Sequence, residues 1–275
     1  MAKRVSALDA TIRALGAEMD PWNDMDVAMA FPGDMHAEHN AIRETVGMWD
    51  TSALTKIYVR GPDALAAINY LVTRDIAKIY VGKSAYVPIL QDNGHFCDDG
   101  FVFHLEEDVY LAVTSIGPSL EFLQGWAKGR NVSIELDENL HMITMQGPNS
   151  VALLDACTSM DMFGLRYCHQ EQTALFGTDR IISRTGYSGE RGYEIFVPGE
   201  DAVELWQQFM EHGKDYGHDA DFVLRPGDGP YRKWADGLRR RGNGRKHAMG
   251  DRFRLGDFAQ EGRLPRPRSA LRSRR

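Results

Sequence analysis

Several things are scarce in this 275-residue chain. It has three cysteines, Cys97, Cys157 and Cys168, an odd number with no C-x-x-C spacing, so neither a disulfide framework nor a thiolate zinc site is indicated. No apolar run approaches a membrane span, and the opening M-A-K-R-V-S-A-L-D-A lacks the apolar stretch of a secretory leader, which makes a cytoplasmic protein without a membrane partner the expectation. There is no phosphate-binding glycine loop, no nucleophile elbow, no H-E-x-x-H and no internal repeat before Gly217. These absences exclude P-loop, serine-hydrolase and zincin chemistry. His36 and His39 stand three apart on a predicted helix, but no third ligand at suitable spacing follows, so a solvated helix face is the simpler reading and no metal is expected.

What is present suffices for a large core: 43% of the residues are apolar, enough for one large or two small domains. The charge is unevenly spread. Residues 218–275 hold 14 Arg and 2 Lys against 6 Asp and 1 Glu, a net of +9, which leaves −16 on residues 1–217 out of the total of −7. Helices are expected over 6–17, 35–46 (closed by Gly47), 61–73, 118–128, 148–157 and 200–212, and strands over 56–60, 84–91, 96–105, 109–114, 132–136, 142–145 and 180–184. Residues 18–34, rich in Pro and Asp, read as a loop. Asp92-Asn93-Gly94 and Glu106-Glu107-Asp108 supply turns, giving an antiparallel meander flanked by helices, an α+β pattern.

Chemistry concentrates in two places. The first is Ile182 to Pro198, I-S-R-T-G-Y-S-G-E-R-G-Y-E-I-F-V-P, where Gly186 and Gly189 bracket Tyr187-Ser188 and a period-two strand follows. There Tyr193, Ile195 and Val197 share one face while Glu194 and Phe196 share the other. A carboxylate on an apolar strand calls for something to hold; the bland alternative is an ordinary hairpin with a surface glutamate. The second is Asp98-Asp99, just after a hairpin turn. Adjacent strand residues face opposite ways, so the pair is no acid/base dyad and only one can enter a given pocket.

The run R-T-G-Y-S-G-E-R-G-Y-E-I resembles the signature of the glycine-cleavage T-protein (aminomethyltransferase) superfamily. The resemblance extends, in the family's order and at about its spacing, through E-H-N-A-I-R-E-T-V-G-M-W-D-T-S (Glu38 to Ser52), V-R-G-P-D-A-L (Val59 to Leu65), D-N-G-H-F-C-D-D (Asp92 to Asp99) and M-Q-G-P-N-S (Met145 to Ser150), covering roughly Ala17 to Gly217. It implies a folate-binding α+β fold of antiparallel sheets flanked by helices. It also implies tetrahydrofolate as cofactor and a small-molecule or carrier-bound one-carbon donor as partner. By the same resemblance Asp98 is the catalytic carboxylate, Glu194 accepts from the pterin donor edge, and Tyr187 and Tyr86 wall the pterin and benzoyl rings. Thr114, the remaining cofactor-binding candidate, stands where the family often has an Asn. Ser52-Ala53-Leu54 replaces the usual S-H-M, and both departures bear on which donor is used: an aminomethyl group, or the methyl of a methoxyaromatic, sulfonium or N-methyl compound. A non-catalytic folate-binding module is the remaining alternative. The K-G-C-Y-x-G-Q-E run of the iron–sulfur-assembly relatives is absent.

The family would continue past residue 217 with an R-x-E-x-G-L helix and a C-terminal barrel, which this chain does not spell out. Back-translating Pro230 to Ala235 and shifting one base permits R-I-E-S-G-L, and the same shift turns Met249-Gly250 into a Trp codon. The expectation is therefore that residues 218–275 are an out-of-frame basic tail with too few apolar residues to order, and that the barrel is missing. A genuine nucleic-acid-binding arm is the rival account of the same charge.

Overall fold

The computed structural model describes residues 4–33 and 35–216, with the side chains of 35–39 set aside. The expected basic tail and the His36 and His39 side chains lie outside the described residues. The elements run α1 Asp9–Ala14, β1 Glu18–Trp22, β2 Met25–Ala30, α2 Met35–Glu44, β3 Gly47–Asp50, β4 Thr55–Arg60, α3 Ala64–Leu71, β5 Ser84–Leu90, β6 Phe96–Glu106, β7 Val109–Thr114, α4 Ser119–Ala127, β8 Ser133–Leu136, β9 Leu140–Gln146, α5 Ser150–Cys157, β10 Gln170–Leu175, β11 Thr178–Ser183, β12 Gly192–Pro198 and α6 Gly199–His212. The chain is α+β, with antiparallel pairing of β1 with β2, β10 with β11, β11 with β12, β12 with β9, β9 with β3, β4 with β8 and β6 with β7.

Two units divide it. The described part of the first comprises residues 4–56, 82–84 and 137–216. It carries a five-stranded sheet in the order β10-β11-β12-β9-β3. One face of this sheet is apolar because Met48, Ile143, Met145, Ile182, Tyr193, Ile195 and Val197 alternate onto it, and they pack with Leu153 and Leu154 of α5 and Leu205, Trp206 and Phe209 of α6. The described part of the second unit comprises residues 57–81 and 85–136. Its sheet runs β5-β6-β7-β4-β8, with Ala64, Ala67, Ile68 and Leu71 of α3 and Leu123 of α4 in the core with Ile57, Val59, Val87, Val102 and Ala112. In α3 the small Ala64 and Ala67 take core positions while Leu65 is only partly buried.

Three local expectations are corrected, and one strand was not foreseen. The stretch 18–34 is a β-ribbon, not a loop: Asn23 (φ 50°) and Asp24 (φ 60°) both adopt the left-handed conformation of a two-residue hairpin turn, and Pro21 is tolerated because a two-stranded ribbon leaves each strand an edge. Gly47 does not cap α2; it opens β3 opposite Gln146. The strand β10, Q-E-Q-T-A-L, was unforeseen because its exposed polar residues show no apolar alternation. Finally, α3 starts at Ala64 rather than at Gly61-Pro62, and Gly61 has φ 119°.

Candidate functional site

In the first unit the strand register builds a polar row. Gln170, Ser183, Glu194, Thr144 and Trp49 stand opposite one another across β10, β11, β12, β9 and β3, and therefore share the sheet face that does not carry the apolar core. Glu194 is 8% exposed. Thr185 Oγ1 donates to its Oε2 at 2.5 Å and also lies 3.0 Å from Ser183 Oγ. Thr185 is the one hydrogen-bond partner of Glu194 in the described residues, and no cation pairs with it. Burial accordingly pushes its carboxyl up to about 7, against a smaller opposing effect of the Thr185 bond.

The loop joining β11 to β12, residues 184–191, hangs beside this carboxylate. Its two glycines, and Gly192 at the start of β12, have different reasons. Gly189 (φ 82°) takes a left-handed turn in open space, whereas a Cβ on Gly186 would fall 1.7 Å from Gln146 Nε2 and one on Gly192 2.4 Å from Gln146 Cδ. Tyr187, 40% exposed, sits on this loop. Arg43 Nη1 anchors the loop from α2, donating to Ser188 O at 3.0 Å and pairing with Glu190 at 2.7 Å.

In the second unit Asp98 lies on β6, 2% exposed. The Asp99 amide and the Ser115 amide donate to its Oδ1 at 2.9 and 3.2 Å, Ser119 Oγ donates to Oδ2 at 2.9 Å, and the Gly117 amide also donates to it. The cradle is the segment 115–119 that leads from β7 into α4. A Cβ on Gly117 would lie 2.4 Å from Asp98 Cβ, so the close approach needs glycine. Burial is the largest influence and lifts the Asp98 carboxyl to about 6 despite these donors. Its neighbour Asp99 is engaged elsewhere: Tyr86 Oη donates to Asp99 Oδ2 at 2.5 Å, and the Tyr86 ring meets Phe101 edge-on at 5.7 Å. The two carboxylates thus have separate surroundings, as alternation along a strand requires, and Tyr86 is tied to Asp99 rather than to Asp98. Thr114, next to the cradle, is buried, and its Oγ1 has no hydrogen-bond partner among the described residues.

The sequence-expected residues therefore fall into two groups, Glu194 with Tyr187 in the first unit, and Asp98, Thr114 and Tyr86 in the second. Thr185, Gln146, Gly117 and Ser119 were not singled out, although Thr185 and Gln146 lie inside runs that were. Among the described residues no group of three His, Cys, Asp or Glu side chains could hold a metal, and no helix is long and apolar enough to cross a membrane.

The chain is 41% identical over 214 residues to the heme-dependent oxidative N-demethylase gamma subunit of Ectopseudomonas mendocina, covering 78% of this chain and 57% of the relative. It is 36% identical over 220 residues to an aminomethyltransferase of Streptomyces avermitilis, covering 78% and 59% respectively. The chain thus spans somewhat under three fifths of the length of these relatives. Among solved structures, the glycine cleavage system aminomethyltransferase T of Bartonella henselae matches with a TM-score of 0.69 at 24% identity, over 76% of this chain and 57% of that one. The heterotetrameric sarcosine oxidase of Corynebacterium sp. U-96 matches at a TM-score of 0.53 and 14% identity, over 77% of this chain and 95% of that one. At those identities the structural likeness speaks to the fold alone. Residues 8–225 match the model of the GCVT N-terminal domain, and the chain belongs to that aminomethyltransferase family.

Proposed function

We propose that this protein takes part in tetrahydrofolate-dependent one-carbon transfer, most simply as an aminomethyltransferase. The observation that carries the reading is Glu194: a carboxylate withdrawn from water and given, among the described residues, one neutral donor and no cation is an acceptor waiting for a ligand. The pterin edge, a 2-amino group beside a ring N–H, offers two parallel donors that a carboxylate accepts together, so this environment suits the cofactor. In the second unit the Thr114 hydroxyl, without a partner among the described residues, is the remaining cofactor-binding candidate. Tyr187, on the loop beside Glu194, is the aromatic surface available to the pterin ring in the first unit.

Tetrahydrofolate, when bound, supplies a nitrogen that accepts the one-carbon unit. The residues' own contributions follow from their surroundings. Glu194 binds the donor edge and fixes its orientation. Asp98, held by Ser119 Oγ and the amides of Asp99, Ser115 and Gly117, is fixed in place with a carboxyl near 6. Around neutral pH it is largely the anion, able to orient the accepting N–H or take its proton.

A second reading concerns the donor. Ser52-Ala53-Leu54 and Thr114 depart from the aminomethyltransferase pattern, and a relative at 41% identity is named an N-demethylase subunit. An N-methyl compound as source of the carbon is therefore the alternative, with non-catalytic folate binding as the third possibility. Offering purified protein and tetrahydrofolate an aminomethyl-loaded carrier, dimethylglycine or a methoxyaromatic acid, and following methylene-tetrahydrofolate with released ammonia from the carrier or methyl-tetrahydrofolate with the demethylated product from the methyl donors, separates the three. Transfer from the carrier supports the first, transfer from dimethylglycine alone the second, and binding without transfer from any donor leaves only the third.

A further inference from the structure

Gln146 ends β9 in the same sheet face as Thr144, and it is fully buried. Its side chain does not serve the apolar core. Its Oε1 accepts both from the Ser188 amide at 3.1 Å and from Ser188 Oγ at 2.5 Å, while Nε2 donates to Thr185 O at 3.4 Å. These partners lie on either side of Tyr187, and Thr185 is the residue that bonds Glu194. Gly186 and Gly192 close over the amide so tightly that any side chain at either would overlap it. One amide thus sets the path of the loop on both sides of Tyr187, and the two glycines are the space it needs.

We propose that Gln146 is a positioning residue for the ligand bound at Glu194: it acts through the loop 184–191, fixing Thr185 against Glu194 and setting the presentation of Tyr187. The functional half rests on the folate reading, whereas the conformational half does not. The test uses the full 275-residue chain and two readouts: hydrogen exchange of peptides covering 184–191 without ligand, and tetrahydrofolate affinity by calorimetry. Gln146→Met keeps the length and removes both polar atoms, so the loop should exchange about tenfold faster or more while peptides from β9 and β12 keep their protection. Tetrahydrofolate should bind about tenfold more weakly. Should that variant fold poorly, Gly186→Ala supplies an independent arm. Alone it forces its methyl into the Gln146 amide and should loosen the loop, and in a Gln146→Ala background, where that space is vacated, its added effect should largely vanish. Unchanged loop exchange in Gln146→Met, deprotection spread equally over β9 and β12, or a Gly186→Ala effect independent of residue 146 would each overturn the conformational claim. A loosened loop with unaltered tetrahydrofolate affinity would overturn the positioning claim. If wild-type protein binds no tetrahydrofolate at millimolar concentration, the folate reading falls, and the exchange data still decide the role of Gln146.

Discussion

Replacing Glu194 by Gln should stabilise the folded chain above neutral pH and at the same time weaken tetrahydrofolate binding. Burial raises the carboxyl from 4.5 to about 7, so the folded state holds its proton more tightly than the unfolded state does. Stability from this group is present in full below pH 4.5 and is lost as pH rises through 7. At about 1.4 kcal/mol per unit, the loss reaches roughly 3 kcal/mol above pH 7. Glutamine carries no such penalty, but its amide gives up a charge-assisted bond from Thr185 and brings donors that need partners, together costing about 1 to 2 kcal/mol. The net gain expected at pH 8 is about 1 to 2 kcal/mol, a rise in melting temperature of roughly 2 to 8 °C. Near pH 4 the gain should disappear. Lys56 complicates the wild-type profile: it is buried against the Ser52 and Leu54 carbonyls, and burial lowers it to about 7, so its contribution to stability rises with pH from 7 towards 10.5. Subtracting wild type from variant at each pH removes that term. Thermal melts of both proteins from pH 4 to 8.5, with calorimetric titration of tetrahydrofolate at pH 7.5, form the assay. Affinity should fall by roughly 1 to 3 kcal/mol. A variant less stable than wild type by the same amount at every pH would refute the claim that Glu194 is a desolvated carboxylate kept for a ligand.

The remaining predictions concern the Asp98 cradle and the tail. Asp98→Asn should lower turnover by about a hundredfold or more with little change in folate affinity, the reverse of the Glu194→Gln pattern; equal effects of both variants on both quantities would dissolve that division of labour. Because the anionic form is the working one, the transfer rate should fall as pH drops through about 6, and Ser119→Ala, which removes a donor to Oδ2, should move that midpoint upward by roughly half a unit to one unit; a downward or absent shift counts against the role of the cradle. Gly117→Ala must push the 115–119 segment off Asp98 and should cost about a hundredfold in turnover, so wild-type turnover would show that the close approach is dispensable. Resequencing the gene around codon 218 should reveal a displaced reading frame; an intact frame, with a tail that survives limited proteolysis as a compact piece, would favour the basic arm.

Much of the fold was readable because its elements announce themselves. The β6–β7 meander carries long apolar alternation with turn residues between, and Asp108 takes the left-handed conformation (φ 57°) such a turn requires. Glu194 and Asp98 were legible as candidates through their motifs, but their separate environments were not. What withdraws Glu194 from water is the register of five strands, two of which, β3 and β10, gave no periodic signal: one is four residues long and the other is largely polar. Gln146 illustrates the same limit. Its motif stood out, yet its role depends on a loop 42 residues away in sequence folding back onto its amide. The β1–β2 ribbon was hidden because Asn23-Asp24 lacks the glycine that usually marks a two-residue turn.

The claim on which the functional account rests is that this chain binds tetrahydrofolate through Glu194. It is tested most directly by isothermal titration of tetrahydrofolate into the purified protein and its frame-corrected version, each beside its Glu194→Gln counterpart. The account predicts a saturable isotherm that the substitution weakens by about one to two orders of magnitude. No binding by either version at millimolar tetrahydrofolate, or an isotherm indifferent to Glu194→Gln, would contradict it.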